Sequence, residues 1–130
     1  MQKKFGLFGA AAGALLSGAL LLAVPSAAHH STAMFEWGNE VEMKNVTVER
    51  WMWTNPHTFL YVRDAQGTRW AFEGMSPNHL TRAGWSKRSL AAGDKIDLTY
   101  YALRDDRKGG FNVTVRKADG TRLQQLPVRQ

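Results

Sequence analysis

A mainly β domain is the fold class this sequence predicts, and three observations predict it. Apolar residues recur at every second position in several short runs between Val41 and Gln124, the period of a half-buried strand. Turn signals divide those runs: Asn55-Pro56, Asp64-Ala65-Gln66-Gly67, Gly93-Asp94 and Ala118-Asp119-Gly120. Only one stretch, Ser76 to Gly84, carries the boundary residues of a helix.

The first strand is expected from Val41 to Trp53. Val46 and Val48 share one parity while Trp51 and Trp53 share the other. The apolar face therefore switches near Glu49-Arg50, which calls for a bulge or a sharp coil. A long, bent first strand of this kind can serve both halves of a small barrel. Asn55-Pro56 ends it, since proline has no backbone donor and cannot sit inside a central strand. His57 then stands where the second strand begins.

Thr58 to Asp64 forms that second strand, with Leu60 and Val62 facing one way and Phe59 and Tyr61 the other. The turn ending at Gly67 returns the chain as Thr68 to Glu73. Ser76 is a natural N-cap, Pro77 fits the first helical position and Gly84 fits just past the end. Leu80 and Ala83 would face inward, with Trp85 as a plug. Ile96, Leu98 and Tyr100 alternate with polar residues in the next strand, Lys95 to Leu103. A charged loop follows, and Gly109-Gly110 read as part of its turn. Phe111, Val113 and Val115 alternate with Asn112, Thr114 and Arg116, and a short last strand is expected near Thr121 to Gln124.

Three strands, one short helix, then two strands and a remnant is the order of an OB-like Greek-key barrel of five to six strands, with its helix between strands three and four. A small meander barrel or sandwich with an inserted helical turn is the competing arrangement.

The 130 residues do not all belong to that barrel. Lys3 and Lys4 precede an uncharged run from Phe5 to Val24, and Pro25-Ser26-Ala27-Ala28 ends in small residues. This is the pattern of a secretory signal peptide over residues 1–28. Twenty uncharged residues could also just span a bilayer, but four glycines and Pro25 favour cleavage. The Lys-Lys start points to the general secretory route rather than the twin-arginine one, and so to the periplasm. Residues 29–40 are expected as an extended arm docking through Phe35 and Trp37, residues 41–124 as the barrel, and residues 125–130 as a loose tail.

Losing Lys3 and Lys4 lowers the formal charge from +6 to +4. That balance is ordinary for a soluble domain and gives no argument for nucleic acid. The chain has no cysteine, so no disulfide supports it and packing must. Tryptophans 37, 51, 53, 70 and 85 carry much of that burden.

The sequence also resembles a family. His-His-Ser at 29–31, Met34-Phe35-Glu36, Trp53-Thr54-Asn55-Pro56-His57, Trp70-Ala71-Phe72-Glu73, Leu80-Thr81-Arg82-Ala83-Gly84-Trp85 and Ala92-Gly93-Asp94 together look like the bacterial family catalogued as domain of unknown function 6152. The likeness runs from His29 to about Gly120. It implies a small exported bacterial protein of β-barrel type and implies no activity.

Four histidines, His29, His30, His57 and His79, hold the chemistry worth weighing. Imidazole is the commonest metal ligand. Cleavage after Ala28 would make His29 the amino terminus, and its α-amine and ring nitrogen could chelate one Cu(II) together. His57 would supply a further nitrogen, giving the tetragonal nitrogen set that Cu(II) favours over zinc. Cleavage one residue earlier would instead put His30 third, where backbone nitrogens take part. The plain alternative is that His29 and His30 are a solvated start and His57 only hydrogen-bonds the corner. His79, mid-helix, reads as solvated. Methionines 34, 43, 52 and 75 lack the clustering of methionine-rich copper motifs and read as filler.

Catalysis finds little support. No Gly-x-Ser-x-Gly elbow, cysteine nucleophile or phosphate-cradling loop occurs. Glu36, Glu49 and Glu73 have no evident acid partner. Trp51, Trp53, Phe59 and Tyr61 on the first two strands could form a partner-binding aromatic face, or could fill a small core. The expectation is therefore a non-enzymatic, monomeric, exported binding domain with no stable membrane span after cleavage. It would bind copper ahead of zinc through His29, His30 and His57. The alternative is an envelope protein-interaction module in which the histidines are incidental.

Overall fold

The computed structural model describes residues 32–126. The predicted signal segment, His29, His30 and the tail beyond Leu126 lie outside the described residues. A short 3-10 turn, Thr32–Met34, leads directly into β1, Phe35–Met52. Then come β2 (Phe59–Arg63), β3 (Arg69–Glu73), α1 (Pro77–Arg82), β4 (Lys95–Leu103), β5 (Gly109–Lys117) and β6 (Arg122–Gln124). The expected arm thus has no separate existence in its described part, because the first strand begins at Phe35.

The strands form one sheet in the order β3-β2-β1-β4-β5-β6, and a parallel β3–β5 pairing closes it into a five-stranded barrel with β6 outside. This is the predicted OB-like topology with its helix between β3 and β4. An 18-residue strand at about 3.3 Å per residue is far longer than so small a barrel is wide, so β1 must bend. It does so at three places. Gly38 and Asn45 take positive φ, 99° and 51°, and the pairing to β2 slips between Val48 and Arg50. That last slip is the bulge expected from the switch in apolar parity. The first part of β1 pairs with β4 and the last part with β2.

Bending lets one strand line two walls of one core. Val46, Val48, Leu60, Val62, Phe72, Ile96, Leu98 and Val115 are all at most 2 % exposed. Leu80 of helix α1 and Trp85 just beyond it plug the barrel as expected, but Ala83, expected to face inward, is exposed because the helix has already ended at Arg82. Ser76 caps it by accepting the His79 backbone N–H at 3.3 Å, and Gly84 follows at φ 86°.

Strand β5 departs from the simple alternation. Its register to β4 slips so that Thr114 faces Thr99 but Asn112 faces Tyr100. Val113 is the extra residue. Val115 therefore enters the main core, while Phe111 and Val113 join Phe35 and Tyr101 in a second apolar cluster. Asn112 is buried at 1 % exposure.

Two further expectations are corrected. Gly109 and Gly110 are not loop glycines; they open β5, opposite Ala71 and Phe72 of β3, at the seam that closes the barrel. A Cβ on Gly109 would lie 2.1 Å from the Ala71 carbonyl oxygen, so only glycine admits that approach. Gln125, expected to begin a loose tail, is 2 % exposed. Its side chain donates to Asn112 Oδ1 at 2.6 Å and accepts the Met75 backbone N–H at 2.7 Å.

Candidate functional site

His57 sits between the Asn55-Pro56 corner, whose peptide bond is cis, and the start of β2. Its backbone is held on both sides. Thr54 Oγ1 donates to the His57 carbonyl at 2.8 Å. Next along, Thr58 is fully buried and is stitched to the segment after β3. Its backbone N–H and its hydroxyl both donate to the Met75 carbonyl, at 3.2 and 2.9 Å. The Gly74 N–H donates in turn to the Thr58 carbonyl at 2.8 Å.

That stitching brings the ring to Glu73, the last residue of β3, and His57 Nδ1 hydrogen-bonds Glu73 Oε1. The Glu73 side chain is 9 % exposed and that of His57 34 %. Buried carboxylates need a partner, and the imidazole is one. The β2–β3 register fixes the meeting, because Phe59 lies opposite Glu73. Glu73 also pairs across the seam with Phe111. It is thus anchored by strands on both sides.

The pair lines a cleft of about 630 Å³ on the outer wall of the barrel. Phe35, Trp37, Tyr101 and Phe111 form its apolar side, and Thr32 also lines it. Trp37 packs at ring-centroid distances of 5.4 Å from Phe35, 5.0 Å from Tyr101 and 5.4 Å from Phe111. Its indole N–H donates to the Thr32 carbonyl, which ties the entering chain to the cleft. A cavity of this size is in the range of small-ligand sites.

The other sequence candidates fall elsewhere. His29 and His30 lie outside the described residues. His79, expected to be solvated, is instead partly buried and tied to the segment after β6, with Nε2 2.9 Å from the Gln125 carbonyl oxygen. Met75 lines the cleft, whereas Met43 packs on the main core. Among the described residues, no group of three or more His, Asp or Glu is gathered as a metal site.

The four aromatic residues expected on one face divide between two. Trp51 lies opposite Leu60, donates its indole N–H to the Ser86 carbonyl at 3.1 Å, and packs 5.7 Å from Trp85 and 5.8 Å from Trp53. Both Trp51 and Trp53 rest on the main core. Phe59 and Tyr61 lie opposite Met52 and Arg50, on the other side of the sheet.

A second polar cluster lies on that outer side. Glu49 binds Arg63 and Arg69, with Arg69 Nε at 2.7 Å and Arg63 Nε at 3.0 Å. The Arg69 hydrogen bond, with Arg63 beside it, holds the Glu49 carboxyl below its usual range. One carboxylate thus serves two guanidinium groups.

The residues missed in the sequence are Glu73 as the partner of His57 and Trp37 as a cleft wall. The hairpin turn at Asp64 to Gly67 carried the signal for the first, since it sets the register that carries Glu73 to the level of Phe59. No local pattern marks the second.

Among the described residues, no helix is long and apolar enough to cross a membrane. The model of a family of unknown function, DUF6152, matches residues 18–112. No curated protein and no solved structure matches the chain.

Proposed function

We propose a role for this chain, which belongs to the DUF6152 family of unknown function, from the chemistry at its cleft. The protein is an exported, periplasmic, non-enzymatic binding domain that takes a metal ion, copper ahead of zinc, at the rim of its barrel. His57 supplies one nitrogen. His29 and His30, at the amino end created by signal cleavage, supply the others.

One observation carries this reading: Thr32 and His57 line the same cleft. His29 stands three positions before Thr32, and three residues of extended chain reach about 10 Å. That reach, along a cleft that His57 also lines, supports an amino terminus meeting the His57 ring. The α-amine has an unperturbed pKa near ~7.7–8.0, so an ion can displace its proton at neutral pH. Nitrogen ligands without thiolate suit Cu(II).

The competing interaction-module reading draws less support. Trp51 and Trp53, half of its aromatic face, are occupied in packing: Trp51 on Trp85, and Trp53 on Trp51.

The test is a titration of untagged protein beginning at His29 with Cu(II), read by tryptophan fluorescence. Quenching at one equivalent that weakens in His57→Ala is the expected result. Binding that survives His57→Ala but disappears when one residue is added before His29 would reduce the site to a terminal chelate. Absence of binding overturns the reading.

A further inference from the structure

We infer that the cleft takes a small organic cation: a substituted ammonium group on an apolar body, held against the Trp37 indole beside the Glu40 carboxylate. No histidine takes part, so the inference goes beyond the metal reading above and does not depend on it.

Among the described residues, Trp37 is the one large hydrophobic side chain left exposed, at 38 %. The rings around it are hidden: Phe35, Tyr101 and Phe111 are all at most 8 % exposed. They prop the indole rather than cover it. Phe35 stands at 72° to its plane, Tyr101 at 59° and Phe111 at 53°, so none of the three stacks flat on it. The Thr32 carbonyl takes the indole N–H, which fixes the ring further. A tryptophan held in the wall of a cleft with much of its surface open is a preformed platform. Indole is also the best of the aromatic rings for a cation over its face.

The charge beside the indole has the matching sign. Strand β1 carries four glutamates. Glu36 pairs with Arg104 and Glu42 with Lys44, each at 3.3 Å, and Glu49 is taken by Arg63 and Arg69. Glu40 alone of the four has no ion pair or side-chain hydrogen bond among the described residues. It is exposed, lines the cleft, and lies opposite Tyr101, whose ring packs 5.0 Å from the indole. The arginine of the cleft wall, Arg122, is displaced from this point. It pairs through Arg116 with Asp97, four residues along β4 from Tyr101, or about 13 Å, and two strands over. An ammonium group at Trp37 therefore meets an open carboxylate well before it meets Arg122. One carboxylate beside an aromatic wall offers a metal ion too few ligand atoms. A substituted ammonium needs no directed ligands, and its apolar body gains from burial against Phe111 and Val113. At about 630 Å³ the cleft holds such a molecule whole.

The test is a calorimetric titration of the protein beginning at His29 with benzyltrimethylammonium, in excess metal chelator. Binding at one equivalent is expected, with a shift of the Trp37 indole N–H resonance. Phenylacetate, an aromatic anion of similar size, should bind about 10-fold more weakly. Glu40→Gln, a change at an exposed position, should weaken the cation about 2- to 5-fold. Trp37→Leu should weaken it about 2- to 30-fold. If Trp37→Leu fails to fold, the preference between the two ions and the Glu40→Gln result decide. Absence of binding, equal affinity for cation and anion, or unchanged cation affinity in Glu40→Gln each overturns the inference. The chelator keeps metal out, so this outcome is separate from that of the Cu(II) titration.

Discussion

The place a Cβ would occupy on Gly110 lies 2.0 Å from the carbonyl oxygen of Tyr101. No real Cβ tolerates that approach, so the backbone of β5 must move if a side chain is added. Gly110 is paired with Phe72 across the seam and with Ala102 on the other side, so any movement strains the closure of the barrel. Gly110→Ala should lower stability by about 1–3 kcal/mol or more, the range for overpacked sites. Urea melts would show this as a drop in midpoint. An unchanged midpoint would mean that the seam is not closed as described.

Trp85 offers a second measure of the same fold. It is 2 % exposed, packs 5.7 Å from Trp51 and donates its indole N–H to the Gln124 carbonyl at 3.0 Å. One side chain thus joins the helix end, β1 and β6. Trp85→Ala should cost about 3–5 kcal/mol. Trp85→Phe keeps most of the buried area and loses the hydrogen bond, so its cost should stay near ~1 kcal/mol plus a cavity contribution. Equal losses in the two variants would remove the packing argument.

Acid should destabilise the fold through two aspartates. Asp64 accepts the Trp70 indole N–H at 2.9 Å and the backbone N–H groups of Thr68 and Gln66, and these bonds hold its carboxyl below its usual range. Asp97 is held low by the Asn45 backbone N–H and then by Arg116. Unfolded aspartate titrates near ~3.9. A carboxyl depressed in the folded state contributes stability above that value and loses it as pH falls through the lower folded value. Urea midpoints should therefore be flat from pH 6 to 5 and fall below pH 4. Asp64→Asn should start lower at pH 6 and fall less steeply. A parallel fall in both proteins would show that Asp64 does not contribute.

Most of the barrel was legible because its signals are local. Parity in Val46, Val48, Trp51 and Trp53 marked the bulge, Ser76 and Pro77 marked the helix, and Gly67 marked the hairpin. What stayed hidden is set by long-range pairing. Gly109 and Gly110 look like loop residues until the parallel contact with Ala71 and Phe72 is known. Asn112 looks solvent-facing until the slip at Val113 turns it inward. The site divides in the same way. His57 stood out at the Asn-Pro corner, but its partner lies 16 residues on and is delivered by strand register. The surrounding cleft depends on β1 beginning early enough to lay Phe35 and Trp37 over β4 and β5, and no nearby period announces that.

Asn112 and Gln125 form a buried amide pair that should behave as a coupled unit. Gln125 Nε2 donates to Asn112 Oδ1 at 2.6 Å, and Gln125 Oε1 accepts the Met75 N–H at 2.7 Å. Gly74 leaves the space, since a Cβ there would lie 2.6 Å from the Gln125 side chain. Replacing one amide strands the other at a buried position, at a cost of about 1–3 kcal/mol. Asn112→Leu should lose that amount. Gln125→Leu should lose more, because the Met75 N–H is orphaned as well. The double variant no longer contains a stranded amide at either position, so its loss should fall short of the two single losses added together. A coupling of about 0.5–3 kcal/mol is expected for residues in one network. Strict additivity in urea melts would mean that the two side chains do not meet, and that Gln125 is not latched beside the segment that positions His57.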